Sequence, residues 1–581
     1  MSSRQKTQKK PKAAKDVKKQ ILQSPSPAVL KNALRAALLL LIAGIASPVS
    51  QLNLSPIYGS IPASLYHQRT MTFTAVAALI GRRGLKGYLD TNVAQYIAVV
   101  AYWIPVIQFF LFQYSGKLGI EYGPLIVEAC TYCPLLFMSV WAAADLMDSI
   151  DLSQFDLPAS VGEIALPTAS YFTISTVAKL SSALIPDFIG TSIYFTRIGL
   201  QMLLASASAF LTPSRVVLFA FPAILHNLWA NPHHPSDHGF QLANSTLFAT
   251  QNYTLLARQE SLTGYVSVVE NHAENAFRLL RCDHSLLGGE WLVTPEAYKK
   301  GQRQRESIFA VFVLLEAVRL VEPAPSVPTL DDTQKSALVI GLGIGTAPNA
   351  MIAHNINTTI VELDPVVHHY ATKYFNLSPN HTAVIDDATA YVARTSKTRK
   401  ESFNYIMHDV FTGGAEPVYL FTTEFMQGLY DLLTNDGVVA INYAGDITLG
   451  STRLVLNTIH SIFPACRLFR DSPPPDHLIP GEPDFINMVV FCVKNDHGRG
   501  KSAIQFRDPE AEDLLGSIAR QNYLKPREEL EVEYKYVKAE DGGRTMGRKD
   551  VGELEKFHKE GAVSHWKIMR GVLPPGVWEM W

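Results

Sequence analysis

Two regimes of hydrophobic patterning divide this chain. Between about residues 31 and 230, long apolar runs recur with few acids between them. A bilayer core is crossed by about 20 mostly apolar residues in a helix. The runs 34–54, 94–114, 123–144, 161–185, 189–211 and 215–230 therefore predict a transmembrane helical domain over 31–232 with about six spans. A shorter run, 70–80, ends at Arg82 and Arg83. Beyond it the pattern becomes that of a folded globular region. The segments "ESLTGYVSVVEN" and "AFRLLRCDHSLLGGEWL" alternate as strands joined by turns, predicting a small β module over 259–300 after a linker, 233–258. Residues 305–321 have helical periodicity. Short apolar runs and helical segments then alternate through 301–500, as in a parallel sheet. A charged extension, 501–581, closes the chain on Trp566, Trp578 and Trp581, which are expected to dock on a surface.

The segment from Ser336 to Pro365 concentrates the chemistry. A β-rich run, 337–340, enters a loop with Gly341, Gly343 and Gly345; a helix-like stretch and a second strand follow, ending at Glu362 and Asp364. This is the layout of a nucleotide-binding βαβ unit. Glycines let the backbone approach a ligand, and the following helix starts with free N–H groups facing it. An acid about 20 residues on can bind ribose hydroxyls. Asp386, Asp387 and Ala388 follow a third strand, and Asp409 ends a fourth. Acids at the ends of three successive strands suit a nucleoside better than a pyrophosphate, favouring S-adenosylmethionine or a relative over NAD. Each acid taken singly also serves as a helix N-cap.

Charge changes the picture at the amino end. Residues 1–20 carry Arg4, Lys6, Lys9, Lys10, Lys12, Lys15, Lys18 and Lys19 against Asp16. The tail 1–30 is expected to be disordered and cytosolic. Over the whole chain, 51 Lys+Arg balance 53 Asp+Glu, which gives no support for nucleic-acid binding. Five scattered cysteines argue against a disulfide framework and a structural zinc site; Cys130 and Cys133 are expected to pack in a core. Glu128, Asp145, Glu163, Lys179 and Arg197 lie in or near the apolar runs, where structural roles outweigh transport. His233, His234 and His238 read as a polar exit loop rather than a metal site, and no metal is expected. Asn244, Asn252, Asn357 and Asn380 stand in N-x-S/T sequons common by chance, and no glycan is expected.

The order of a β module with "ES-x-x-G-x-V-x-V", a "D-x-x-x-x-G-G" turn, a helix and a glycine-loop nucleotide fold resembles the spermidine/spermine synthase (polyamine aminopropyltransferase) family over about residues 255–500. It resembles most the membrane-fused members, in which transmembrane helices precede such a domain. The resemblance implies a multi-pass α-helical membrane domain followed by an α/β Rossmann-like S-adenosylmethionine-dependent transferase fold. It implies that Gly341, Gly343, Gly345 and Glu362 hold decarboxylated S-adenosylmethionine, that Asp387 and Ala388 contact adenine, and that Asp409 helps deprotonate the attacking amine. The chain departs from the family pattern at Leu342 and Ile344 in the loop, at Thr412 where a second acid is usual, and at Phe309, Ala310 and Val311 where Tyr-His-Glu is usual. Glu290 and Glu306 are candidate replacements for the lost amine-binding acids.

The expected function is therefore a membrane-anchored spermidine synthase-like transferase, related to polyamines, using decarboxylated S-adenosylmethionine or S-adenosylmethionine as co-substrate. The alternatives are an S-adenosylmethionine-dependent methyltransferase and a non-catalytic nucleoside-binding membrane protein. The expected partners are a small-molecule acceptor such as an amine, the lipid bilayer and a second copy of the chain. An even number of spans would place the transferase domain in the cytosol with the basic tail.

Overall fold

The computed structural model describes residues 27–85, 92–148, 159–410, 417–447, 449–474, 486–537 and 543–581. The basic tail up to residue 26 and Thr412 lie outside the described residues, as does the side chain of Glu163.

The amino-terminal half is helical. Among the described residues three stretches, Pro27–Tyr58, Val93–Phe112 and Ser115–Met147, are long and apolar enough to cross a membrane; Arg197–Leu211 and Arg215–Trp229 are shorter apolar helices. Of the six runs expected to span, 34–54, 94–114 and 123–144 fall in the three long stretches, 189–211 and 215–230 in the shorter helices, and 161–185 in the helix Ala159–Phe188. The third stretch is two helices broken at Thr131, with a further kink at Gly119. Several charged residues inside this region are paired. His67 Nδ1 bonds Glu128 and its Nε2 bonds Ser47 Oγ at 2.6 Å, while Arg82 Nε reaches Asp145 at 2.7 Å. Arg197 is buried; its guanidinium meets Glu260 and Asp283, each at 3.1 Å, and so ties the helices to the sheet that follows. Cys130 is exposed, contrary to the expected core packing, because it faces outward at the end of the helix Ser115–Cys130.

The β module is a five-stranded antiparallel meander: β1 Tyr253–Ser261, β2 Gly264–Asn271, β3 Phe277–Cys282, β4 Ser285–Trp291 and β5 Glu306–Ser307. The helix expected over 305–321 begins only at Ala310. Glu306 and Ser307 instead pair with Trp291 and Glu290, so edge pairing overrides the local helical period.

The larger sheet has seven strands in the order β11-β12-β10-β9-β6-β7-β8. They are β6 Ser336–Ile340, β7 Asn357–Glu362, β8 Thr382–Ile385, β9 Phe403–His408, β10 Leu433–Gly445, β11 Ala465–Arg470 and β12 Ile486–Val493. All pairings are parallel except those of β12 with β10 and β11. Its inner strands β6, β9 and β12 are near-continuous apolar runs because both faces are covered, whereas the edge strand β8 is largely exposed. Ala337 and Val339 enter one core layer, Leu338 and Ile340 the other. The chain order reverses between β6 and β9, and in open α/β sheets the carboxyl edge at such a switch point is where ligands bind.

Cys466 and Cys492 face each other across β11 and β12 and form a single disulfide, a pairing that the scattered spacing, read as arguing against a disulfide framework, did not suggest. The carboxyl-terminal segment docks as its tryptophans suggested. Trp566 Nε1 donates to the Ile57 carbonyl, Arg281 donates to the carbonyls of Pro56, Val577 and Trp578, and Trp581 stacks on His233 at 4.3 Å.

Candidate active site

The glycine loop leaves β6 with Gly341, Gly343 and Gly345 at φ 82°, 54° and 87°. Two of these positions exclude any side chain on contact as well as conformation. A Cβ on Gly341 would strike the Asp409 carbonyl oxygen, and one on Gly343 the Leu287 carbonyl oxygen of β4. Gly345 is the N-cap of the helix Thr346–Ala353. Leu342 and Ile344 are buried, which accounts for their apolar character. Ile344 packs over Gly288, where a Cβ would crowd it, so the β module rests directly on the loop.

Glu362 ends β7. Its Oε2 accepts the Leu342 N–H at 3.0 Å and its Oε1 the Asp364 N–H at 2.9 Å, binding the loop to the strand end. Burial pushes its carboxyl up to about 7. Asp364 is fully buried and holds the β1–β2 turn in place. It accepts Ser261 Oγ at 2.6 Å, Thr263 Oγ1 at 2.5 Å and the Thr263 N–H at 3.2 Å. Between these acids Leu363 is 44% exposed, and Ile385 at the end of β8 is 45% exposed. Two apolar side chains left open at adjoining strand ends offer walls for a flat nucleobase.

Asp387 is exposed and caps the helix Ala388–Thr398, accepting the Thr389 N–H at 2.7 Å and Thr389 Oγ1 at 2.9 Å. Ala388 is buried in that first turn. Asp386 is paired with Arg394 at 2.9 Å. Asp409, half-buried, follows β9; its N–H donates to the Ile340 carbonyl at 2.8 Å, and its Oδ1 accepts Asn442 Nδ2 at 2.8 Å. Burial pushes its carboxyl up to about 6, the Asn442 bond pulling the other way. Oδ2 thus stands ready for a further donor.

The loop glycines, Glu362 and Asp409 come together at the switch point, with Asp387 and Ala388 two strands over at the end of β8. Glu290 and Glu306 do not join them as free acids. Glu290 accepts Arg305 Nη1 at 2.7 Å; Glu306 accepts Ser517 Oγ and the N–H groups of Ile518 and Ala519, capping the helix Ile518–Tyr523. They line a polar cavity of about 250 Å³ on the outer flank of the loop, with Thr346 and Arg520. Phe309 stacks edge-on against Phe312, and Val311 is core. Asn442, Leu363 and the Asp364 anchor were missed from sequence. A polar residue closing the apolar run of β10 was the available signal for Asn442.

Residues 325–470 match the family described as the spermine/spermidine synthase domain. Over 565 residues the chain is 44% identical to the N-terminal histidine N-methyltransferase of Emericella nidulans, covering 95% of this chain and 98% of that protein. It is 35% identical over 109 residues to the polyamine aminopropyltransferase of Vibrio vulnificus, 18% of this chain and 36% of that one. A solved spermidine synthase bound to a transition-state analogue matches with 20% identity and a TM-score of 0.32, over 52% of this chain and 88% of its own.

Proposed function

The chain belongs to the family of the N-terminal histidine N-methyltransferase of Emericella nidulans, and we propose that it likewise transfers a methyl group to the amino-terminal histidine of a polypeptide. It is an S-adenosylmethionine-dependent transferase with an α/β Rossmann-like fold. The observation that carries the proposal is the 44% identity sustained over nearly the full length of both chains. The engagement of Glu290 and Glu306 in an ion pair and a helix cap supports it. A polyamine needs free carboxylates, and the main expectation of polyamine chemistry loses those two.

The residues present fit S-adenosylmethionine. The loop glycines leave room where a Cβ would collide, Leu363 and Ile385 present apolar walls, and Glu362 and Asp387 keep carboxylate lone pairs at the strand ends. When bound, that co-substrate supplies a methyl group on a sulfonium. Glu362 fixes the loop against β7 and would receive the ribose hydroxyls, and Asp387 with Ala388 would meet the adenine edge. Asp409 orients the acceptor. An imidazole has an ordinary pKa of about 6.5 and is largely neutral at pH 7. Asp409 Oδ2 accepts the N–H of one ring nitrogen, so that the other presents its lone pair. After methylation the ring is a cation, and the same carboxylate stabilises it and takes the N–H proton. Asn442 keeps Oδ1 occupied, so a single oxygen does this work.

We place the helical half in a lipid bilayer as an anchor, supported by the three long apolar stretches and by outward-facing Phe73, Phe110 and Phe210.

The test is incubation of the full chain with isotopically labelled S-adenosylmethionine and a pair of peptides differing only in a first residue of His or Ala. Transfer of one methyl to the His peptide alone is expected. Methylation of both peptides equally, or of neither while putrescine is aminopropylated from the decarboxylated donor, would overturn the reading.

A further inference from the structure

The Cys466–Cys492 bond and the sequons together say where the transferase half resides. We propose that this half lies in an oxidising, glycosylating compartment and carries N-linked glycans on Asn252 and Asn380. The proposal depends on neither the methyl donor nor the acceptor.

The disulfide is the first support. The two cysteines are register partners on antiparallel strands, 26 residues apart in sequence, and both are buried. A buried, geometrically matched bridge of this kind persists in secretory compartments and is kept reduced in the cytosol. The third cysteine of this half, Cys282, has its thiol pushed up by burial, which keeps it inert in the same surroundings.

The four sequons named above differ in their surroundings. Asn244 is occupied: its Oδ1 accepts the Leu255 N–H at 2.8 Å. Asn357 is exposed, at the start of the interior strand β7, where its N–H is held by the Lys335 carbonyl at 3.1 Å. Asn252 is exposed in the left-handed conformation at φ 59°, at the turn between the helix Asp237–Gln251 and the edge strand β1. Asn380 is exposed in the loop leading into β8, the other sheet's edge strand, and its sequon partner Thr382 is exposed too. It sits at the amino edge of the parallel sheet, opposite the acids at the carboxyl edge, so a glycan there leaves the crevice open.

Topology follows. The basic amino-terminal residues favour the cytosol, so the chain must cross the bilayer an odd number of times before Tyr253. That replaces the even count, and with it the cytosolic transferase domain, expected from sequence.

The test uses the full chain expressed in eukaryotic cells. Digestion with peptide N-glycosidase F is expected to lower its apparent mass. Half of that shift should disappear in Asn252→Gln and half in Asn380→Gln, with Thr382→Ala repeating the second loss without touching the asparagine. In lysates denatured directly in maleimide–polyethylene glycol, three of the five cysteines should take the label without prior reduction and all five with it. An unchanged mass after digestion, a shift that survives in the double variant, or five labelled cysteines before reduction would each overturn the proposal.

Discussion

Asn442 Nδ2 donates to Asp409 Oδ1 at 2.8 Å, across the adjacent parallel strands β10 and β9. The bond takes up Oδ1 and leaves Oδ2 as the oxygen of this carboxylate that would meet an acceptor substrate. It also stabilises the ionised form of a group that burial would otherwise keep protonated.

Replacing Asp409 by Asn should therefore abolish turnover while sparing the donor site. A general base contributes about 10²–10⁴-fold, and a fall in kcat of that order is expected. Donor affinity, measured by calorimetry on the full chain, should stay close to wild type. A parallel loss of donor binding would mean that Asp409 holds the nucleoside instead.

The pH profile carries a second signature. Asp409 acts when ionised, so kcat/KM should rise through about pH 6. Asn442→Ala removes the bond that lowers this pKa, and the rising limb should move to higher pH. Stability runs the opposite way. The folded pKa is above the ordinary carboxyl value, so the contribution is fully present below about pH 4 and lost as pH passes 6. At neutral pH the ionised group costs roughly 3 kcal/mol. Asp409→Asn should thus raise Tm at pH 8 and leave it nearly unchanged at pH 4.

Gly341→Ala should be among the most damaging single-atom-group changes in the chain. The new methyl meets the Asp409 carbonyl oxygen, which is fixed backbone, and the φ of 82° is strained for alanine. Loss of S-adenosylmethionine binding is expected by calorimetry, with circular dichroism still reporting a folded chain. The same substitution at Gly498, where φ is 74° and a Cβ meets open space, should cost only about 1–2 kcal/mol of strain and leave binding intact.

Asp364→Asn should loosen the β module from the nucleotide fold. The amide puts a donor where Thr263 and Ser261 already donate, leaving buried groups mismatched at about 1–3 kcal/mol. Hydrogen exchange should rise in the β1–β2 turn before it rises in the parallel sheet.

Local pattern carried the nucleotide half well. The spacing of Gly341, Gly343 and Gly345 and the acids at strand ends are set by the parallel sheet itself, so the positions of Glu362 and Asp409 at the ends of β7 and β9 were legible from spacing, while the roles given them rested on the family resemblance. What the chain hid depended on register between distant segments. Cys466 and Cys492 meet because β12 inserts antiparallel between β10 and β11, which neither cysteine's neighbourhood announces. Glu306 looked like a spare acid because the helix it caps, Ile518–Tyr523, lies more than 200 residues later. The helix over 305–321 was overread because pairing of Glu306 and Ser307 with β4 is invisible to a period count.

Glu362, Leu363 and Asp364 do three jobs in three consecutive residues: one pins the glycine loop, one stays open to the crevice, and one anchors the overlying turn. Floor and roof of the crevice are thus measured from a single stretch of backbone. A substitution at any of the three alters one wall, whereas a one-residue insertion or deletion would displace all of them at once. The segment is free to drift in chemistry but not in length.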